Sequence, residues 1–220
     1  MIQLHVTKKL LAKLPLDEQG QLLIKTTDQV SDSHASHLAI NPLNGWHANL
    51  LLLQRRQCVI MIHDITRFAV FIPCLTKPDY ANLNNLFEDS FINSLLKCGA
   101  NQAQLNVAHQ LLAPFNIDSK CDRSVQGTMN RMAGDIEQFL WYDQVNISEI
   151  TGNRIGAWLA QRPCNIKGQK DCIFPGEAMF ELLDKAALMF SGKTLIAAKV
   201  EEFSKGQSNN VISMEDYQRQ

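Results

Sequence analysis

The chain has 220 residues, 45% of them hydrophobic and 20% charged, the range of an ordinary globular protein. A fold of this length buries roughly 70% of the surface its unfolded chain exposes, so it needs neither disulfides nor a structural metal. With 21 Lys and Arg against 22 Asp and Glu, the formal net charge is −1, which removes any bulk electrostatic case for nucleic acid or membrane lipid and leaves only a local basic patch.

The longest apolar runs, 48–53 and 58–62, are far too short to span a bilayer, and the opening MIQLHVTKKLL lacks the order of a signal peptide. A cytoplasmic protein without membrane partners is expected. Its six cysteines contain no CxxC pair and read as buried or half-buried thiols. The nearest approach to a metal-ligand pair is His34-x-x-His37, with no second pair near it, so neither a metal nor a cofactor is expected.

Residues 2–6 predict a strand, followed by one or two helical turns that Thr7 is placed to cap and Pro15 ends. Residues 16–45 carry little pattern beyond a short apolar 22–24 and read as loop, with at most one strand. Three apolar runs of strand length follow, 48–53, 58–62 and 68–72, separated by short polar connections that suit an antiparallel meander. Because the runs are almost continuous rather than alternating, both faces of the sheet should be covered. Pro73 is placed to close the third strand.

From Tyr80 the period becomes helical. Leu83, Leu86, Phe87, Phe91, Leu95 and Cys98 share one face, with Gly99 where a left-handed cap residue is wanted. Asn101 and Gln104 form a capping pair for a second helix, stopped by Pro114. Ser124 is placed to cap a third, whose stripe runs Val125, Met129, Met132, Ala133, Ile136, Phe139 and Leu140. Ser148 opens a fourth, and Pro175 takes the first position of a fifth that Gly192 ends. Residues 194–200 suit a last strand, and 201–220 read as a polar tail. Strands first and helices after point to α+β. The expected architecture is a small, mostly antiparallel sheet of an N-terminal strand plus the meander, covered by helices. Residues 1–145 form the main unit, and 146–220 a helical extension packed on it.

Several tempting motifs fail. Ser191-Gly192-Lys193-Thr194 follows a helix rather than a strand, and Ala187 stands where a phosphate-binding loop needs Gly. No Ser sits in a GxSxG turn, and His5, His63 and His109 read as packed, hydrogen-bonded histidines. Arg55 and Arg56, with Lys8, Lys9 and Lys13, offer a basic edge, although cations on a hairpin also serve to discourage edge pairing.

Two segments carry more. Along Asn44-Gly45-Trp46-His47-Ala48-Asn49, strand alternation puts Trp46 and Ala48 on one face and His47 and Asn49 on the other. Asp122-Arg123-Ser124 opens the most regular helix, whose N-terminal amides beside Arg123 suit an anion. Gly127 costs this helix about 1 kcal/mol relative to Ala, which suggests a close neighbour that needs the room.

These blocks carry a resemblance. Thr7-Lys8-Lys9-Leu10-Leu11 after the first strand, Trp46-His47-Ala48-Asn49-Leu50-Leu51 with Arg55-Arg56-Gln57, and Arg123-Ser124-Val125, Gly127 and Met129-Asn130 together resemble a bacterial domain family of unknown function. Its members carry W-[YH]-A-N-L-L…R-R-Q and N-R-S-V-x-G-[ST]-M-N blocks, and the likeness spans about residues 1–142. Asp122 departs from the usual Asn, and Arg131 from an often acidic position. The resemblance implies no activity, only that both polar blocks belong to one domain.

The leading expectation is therefore a non-catalytic binding or accessory module whose pocket is formed by Trp46, His47, Asn49, Arg123, Ser124 and Asn130, holding a small anion or a protein partner's acidic group. A second reading is an enzyme on phosphate-bearing or nucleic-acid substrates, with His47 as acid/base and Arg123 stabilising charge. A third is a homo-oligomeric scaffold with Trp158 and Phe180 as contacts. Direct DNA binding is the weakest, since no helix is studded with Arg and Lys.

Overall fold

A computed structural model of the chain describes residues 1–19, 21–22, 41–166 and 171–190. The expectations for 23–24, His34, His37, Gly192 and 194–220 lie outside the described residues.

The elements in chain order are β1 (Ile2–Val6), α1 (Lys8–Leu11), β2 (Trp46–Leu53), β3 (Arg56–His63), β4 (Ala69–Leu75), α2 (Leu83–Cys98), α3 (Gln102–Leu111), β5 (Phe115–Asp118), α4 (Arg123–Tyr142), α5 (Gly152–Ala160) and α6 (175–190). The fold is α+β, with a five-stranded sheet in the order β4-β3-β2-β1-β5. The strands β2, β3 and β4 pair antiparallel, whereas β1 lies between β2 and β5 and is parallel to both. The sheet is thus mixed, not mostly antiparallel as the sequence suggests. The cause is β5, a four-residue strand after Pro114 too short to register as a periodic signal; its alternation, Phe115 and Ile117 buried and Asn116 and Asp118 half-buried, matches that of β1.

Both faces of the sheet are covered, as the near-continuous apolar runs require. On one face Ile2, Leu4, Trp46, Met61 and Val70 pack beneath α2, α3 and α6. On the other, Cys58, Ile60, Ile62 and Phe71 meet Val125, Met129, Met132 and Ile136 of α4 and Ile155 and Leu159 of α5. Alternation along each strand divides its residues between these two apolar layers.

Local signals explain most boundaries. Gly99 (φ 93°) ends α2 in the left-handed region, and Asn101 with Gln104 makes a reciprocal capping box on α3. Three boundaries differ from expectation. Asp122, not Ser124, caps α4. Thr7 does not cap α1, because its hydroxyl donates to Asn49 Oδ1 (2.8 Å) instead. The fourth helix starts at Gly152, the region of Ser148 forming only a 3-10 turn, Ile147–Glu149.

Strand β4 also runs past Pro73 rather than ending there. As an edge strand it can accommodate a residue without an N–H. Its outer side is covered by α5, which comes close enough that a Cβ on Gly152 would lie 2.1 Å from the Phe71 carbonyl oxygen. Around Gly127, by contrast, a Cβ would find nothing within 4 Å, so no close neighbour accounts for that glycine.

Candidate functional site

The site forms where the parallel part of the sheet exposes a polar row. In β1, Ile2, Leu4 and Val6 point into the core, which turns Gln3 and His5 to the other face. Register sets His47 of β2 directly beside His5 on one side, and Asp118 of β5 on the other. Three titratable side chains from three strands therefore stand side by side, with the two imidazole centroids 4.8 Å apart.

Each imidazole has a carboxylate on Nδ1. His5 Nδ1 donates to Asp118 Oδ1 at 2.5 Å, and His47 Nδ1 to Asp64 Oδ1 at 2.6 Å. An Nδ1–H donor fixes the tautomer and leaves the lone pair on Nε2. The two rings then diverge. Nε2 of His47 is engaged, accepting the Asp122 backbone N–H at 2.8 Å. Among the described residues Nε2 of His5 has no hydrogen-bond partner, and His5 lines a cavity of about 270 Å³. Met129 adds an apolar side chain, Val6 and Ala48 border the cavity with their own side chains turned into the core on the opposite face, and Lys8, Lys120, Thr7, Ser119, Cys121 and Gln126 line the rest.

Turn chemistry holds this wall. The Lys120 N–H donates to Asp118 Oδ1 (2.9 Å), folding the chain back directly after β5. Two residues on, Asp122 is anchored to His47 and accepts the Ser124 and Val125 N–H groups at 2.6 and 3.1 Å. Those two amides hold the Asp122 carboxyl below its ordinary range, despite an opposing effect of burial, with Arg67 and His47 adding to the shift. At Asp118 burial pushes the carboxyl up, but the His5 bond, the Lys120 N–H and the charges of His5 and Lys120 outweigh it.

Behind the row, the β3–β4 connection acts as a brace. Gly45 (φ 88°) leaves the space that Asp64 needs, since a Cβ there would lie 2.8 Å from Asp64 Oδ2. Arg67 is 3% exposed, donates to the Asp64 carbonyl and to Ser124 Oγ (3.1 Å), and has a buried Nε without a partner among the described residues. Burial lowers its pKa, opposed by the nearby charges of Asp122 and Asp64.

The structure separates the residues singled out from the sequence. His47 lines the cavity, and Asn49 stands behind Thr7 as its hydrogen-bond acceptor. Trp46 is fully buried on the opposite face, edge-on to Phe87 and Phe91, its indole N–H donating to the Leu43 carbonyl at 2.8 Å. Arg123 and Asn130 are exposed and line no part of the cavity, and Ser124 is engaged by Arg67. The helix-end amides expected to hold an anion are already occupied by Asp122. Arg55, at the β2–β3 hairpin, lines no part of the cavity.

Sequence reasoning passed over His5, Asp118, Lys120 and Cys121 as site residues. The alternations Ile-Gln-Leu-His-Val and Phe-Asn-Ile-Asp put the polar members of both strands on one face, but which strands are neighbours cannot be read from alternation.

A family model described as a domain of unknown function (DUF6933) matches residues 3–178. The match runs beyond residue 142, where the resemblance read from the motifs stops, and takes in α5 and the start of α6. No curated protein and no solved structure matches the chain.

Proposed function

The chain belongs to the DUF6933 family, and from its pocket we propose that it is a binding module for a small anion. The reading rests on one observation: Lys8, Lys120 and His5 line a single cavity. Two exposed ammonium groups at the rim of one concave site, Lys120 also 3.8 Å from Asp118 Oδ2, together attract an anion more strongly than either does alone. The anion-holding role passes from Arg123 and the α4 amides to the two lysines.

The other readings find less support. His47 has both ring nitrogens engaged, so it has no free position for acid/base work, and Arg123 stands outside the cavity. Trp158 packs against Phe139 at 5.2 Å and under the Arg162 guanidinium, while Phe180 packs on the core, so both are occupied within the chain. Among the described residues, no helix is long and apolar enough to cross a membrane.

Titration with inorganic phosphate, followed by NMR, tests the proposal. The His5 ring and Lys120 amide signals should move together and saturate. A Lys8→Gln/Lys120→Gln variant should bind about tenfold or more weakly, the loss of roughly 1.4 kcal/mol or more of charge-assisted contact. No movement at these signals, or equal binding by the variant, overturns it.

A further inference from the structure

We propose that Cys121 is a nucleophile in this pocket and His5 its proton acceptor, acting on an electrophilic carbon of a small anion. For the charge of its substrate the proposal rests on the anion-binding reading; the thiol chemistry stands on separate observations.

The first is the state of the cysteines. Burial pushes the Cys58 and Cys98 thiols up to about 11, and raises that of Cys164 as well, which makes these sulfurs poor nucleophiles. Cys121 is exposed and lines the cavity. The second is its mounting. Cys121 lies between Lys120, whose N–H is held by Asp118, and Asp122, whose N–H is held by His47, so the same two pairs that arrange the imidazoles fix the backbone on either side of the thiol. Its Sγ–H points to Gln126 Oε1 at 3.2 Å, an acceptor on the first turns of α4. The third is His5, which lines the same cavity with Nδ1 committed to Asp118 and Nε2 without a partner among the described residues. A carboxylate-oriented imidazole and a thiol lining one cavity are the groups from which a thiolate can be generated. The charged and titratable groups around His5 are Asp118 of β5, His47 of β2 with Asp64 behind it, Lys8 of α1 and Lys120.

The step balances without an outside oxidant or reductant. The Sγ proton passes to His5 Nε2, the sulfur lone pair forms a carbon–sulfur bond, and the leaving group departs with the electrons of the bond it breaks. His5 then returns the proton to the leaving group or to water.

Two alkylating reagents test it, the neutral iodoacetamide and the anionic iodoacetate, with iodide as the leaving group and mass spectrometry reading each cysteine. Cys172, also exposed, serves as internal reference. With iodoacetamide at pH 7, Cys121 should react about tenfold or more faster than Cys172. His5→Gln should remove that advantage. Asp118→Asn, which keeps an acceptor for the Lys120 N–H, should lower it and serves if His5→Gln does not fold. Equal rates at Cys121 and Cys172, or a rate at Cys121 indifferent to both substitutions, overturn the proposal. The lysines are read separately: iodoacetate should outpace iodoacetamide at Cys121 in the wild type but not in Lys8→Gln/Lys120→Gln. A His5-dependent thiol with no preference for iodoacetate would sink the anion-binding reading and leave the nucleophile standing.

Discussion

His47 Nε2 accepts the backbone N–H of Asp122 at 2.8 Å, joining a strand to the start of a helix 75 positions later. On the other side of the ring, Asp64 takes the Nδ1 proton. One imidazole thus fixes the β3–β4 connection and the loop that carries Cys121, and it does so from a site only 4% exposed. Both of its ring nitrogens are engaged within the protein.

Replacing it should therefore cost stability. His47→Phe keeps the ring volume but leaves the Asp122 N–H and the Asp64 carboxylate without their partner. Unfolding in urea should show a loss of about 2 kcal/mol or more, from the desolvation of groups no longer satisfied. Amide exchange at Asp122 should accelerate beyond the global change.

At the adjacent position the effect should depend on the acceptor more than on the charge. Asp122→Ala removes the acceptor for the Ser124 and Val125 amides and should cost about 1 kcal/mol. Asp122→Asn retains a capping oxygen and should recover most of that loss. The remainder, read from the salt dependence of the melting temperature, reports the attraction to the neighbouring Arg67.

The glycines separate into two kinds. Gly127→Ala should raise stability by about 0.5–1 kcal/mol, because the new methyl meets nothing and the helix gains in propensity. Gly152→Ala should lower it by about 3 kcal/mol, since its methyl collides with the backbone carbonyl of Phe71, which cannot move without disturbing β4. Thermal melts of the two variants should shift in opposite directions.

Acid should weaken the fold through His63. Burial lowers its pKa to about 4, against opposing contributions from Asp64 and the Pro42 and Asn44 backbone. The unfolded chain, with a value near 6.5, then binds the proton first. Stability is full above about pH 6.5 and falls as the pH drops toward 4, by roughly 3 kcal/mol in all. Denaturation midpoints measured at pH 7 and pH 4.5 should differ in the wild type and differ less in His63→Leu.

The class of fold, the helices of the second half and their caps at Gly99 and Asn101 were legible in the sequence, because helical periodicity and capping depend on residues at most four apart. The split of Trp46 from His47 followed from the same local rule, successive side chains on a strand facing opposite ways. The Arg123–Ser124 end of α4 misled because a helix N-terminus looks vacant until its cap is known. Asp122 fills it, and the ring that steadies Asp122 comes from another strand.

By itself, then, the sequence determined which residues are apolar, how they repeat, and hence most of the segments that become strands or helices, with two covered faces. Only the tertiary structure decided that β5 pairs with β1 at a separation of 113 residues, setting Asp118 beside His5 and bringing Lys8, Lys120 and Cys121 around one cavity. The physical reason is that alternation fixes the face of a side chain but not its neighbours. Neighbours come from strand order and register, which are set by the whole core packing at once.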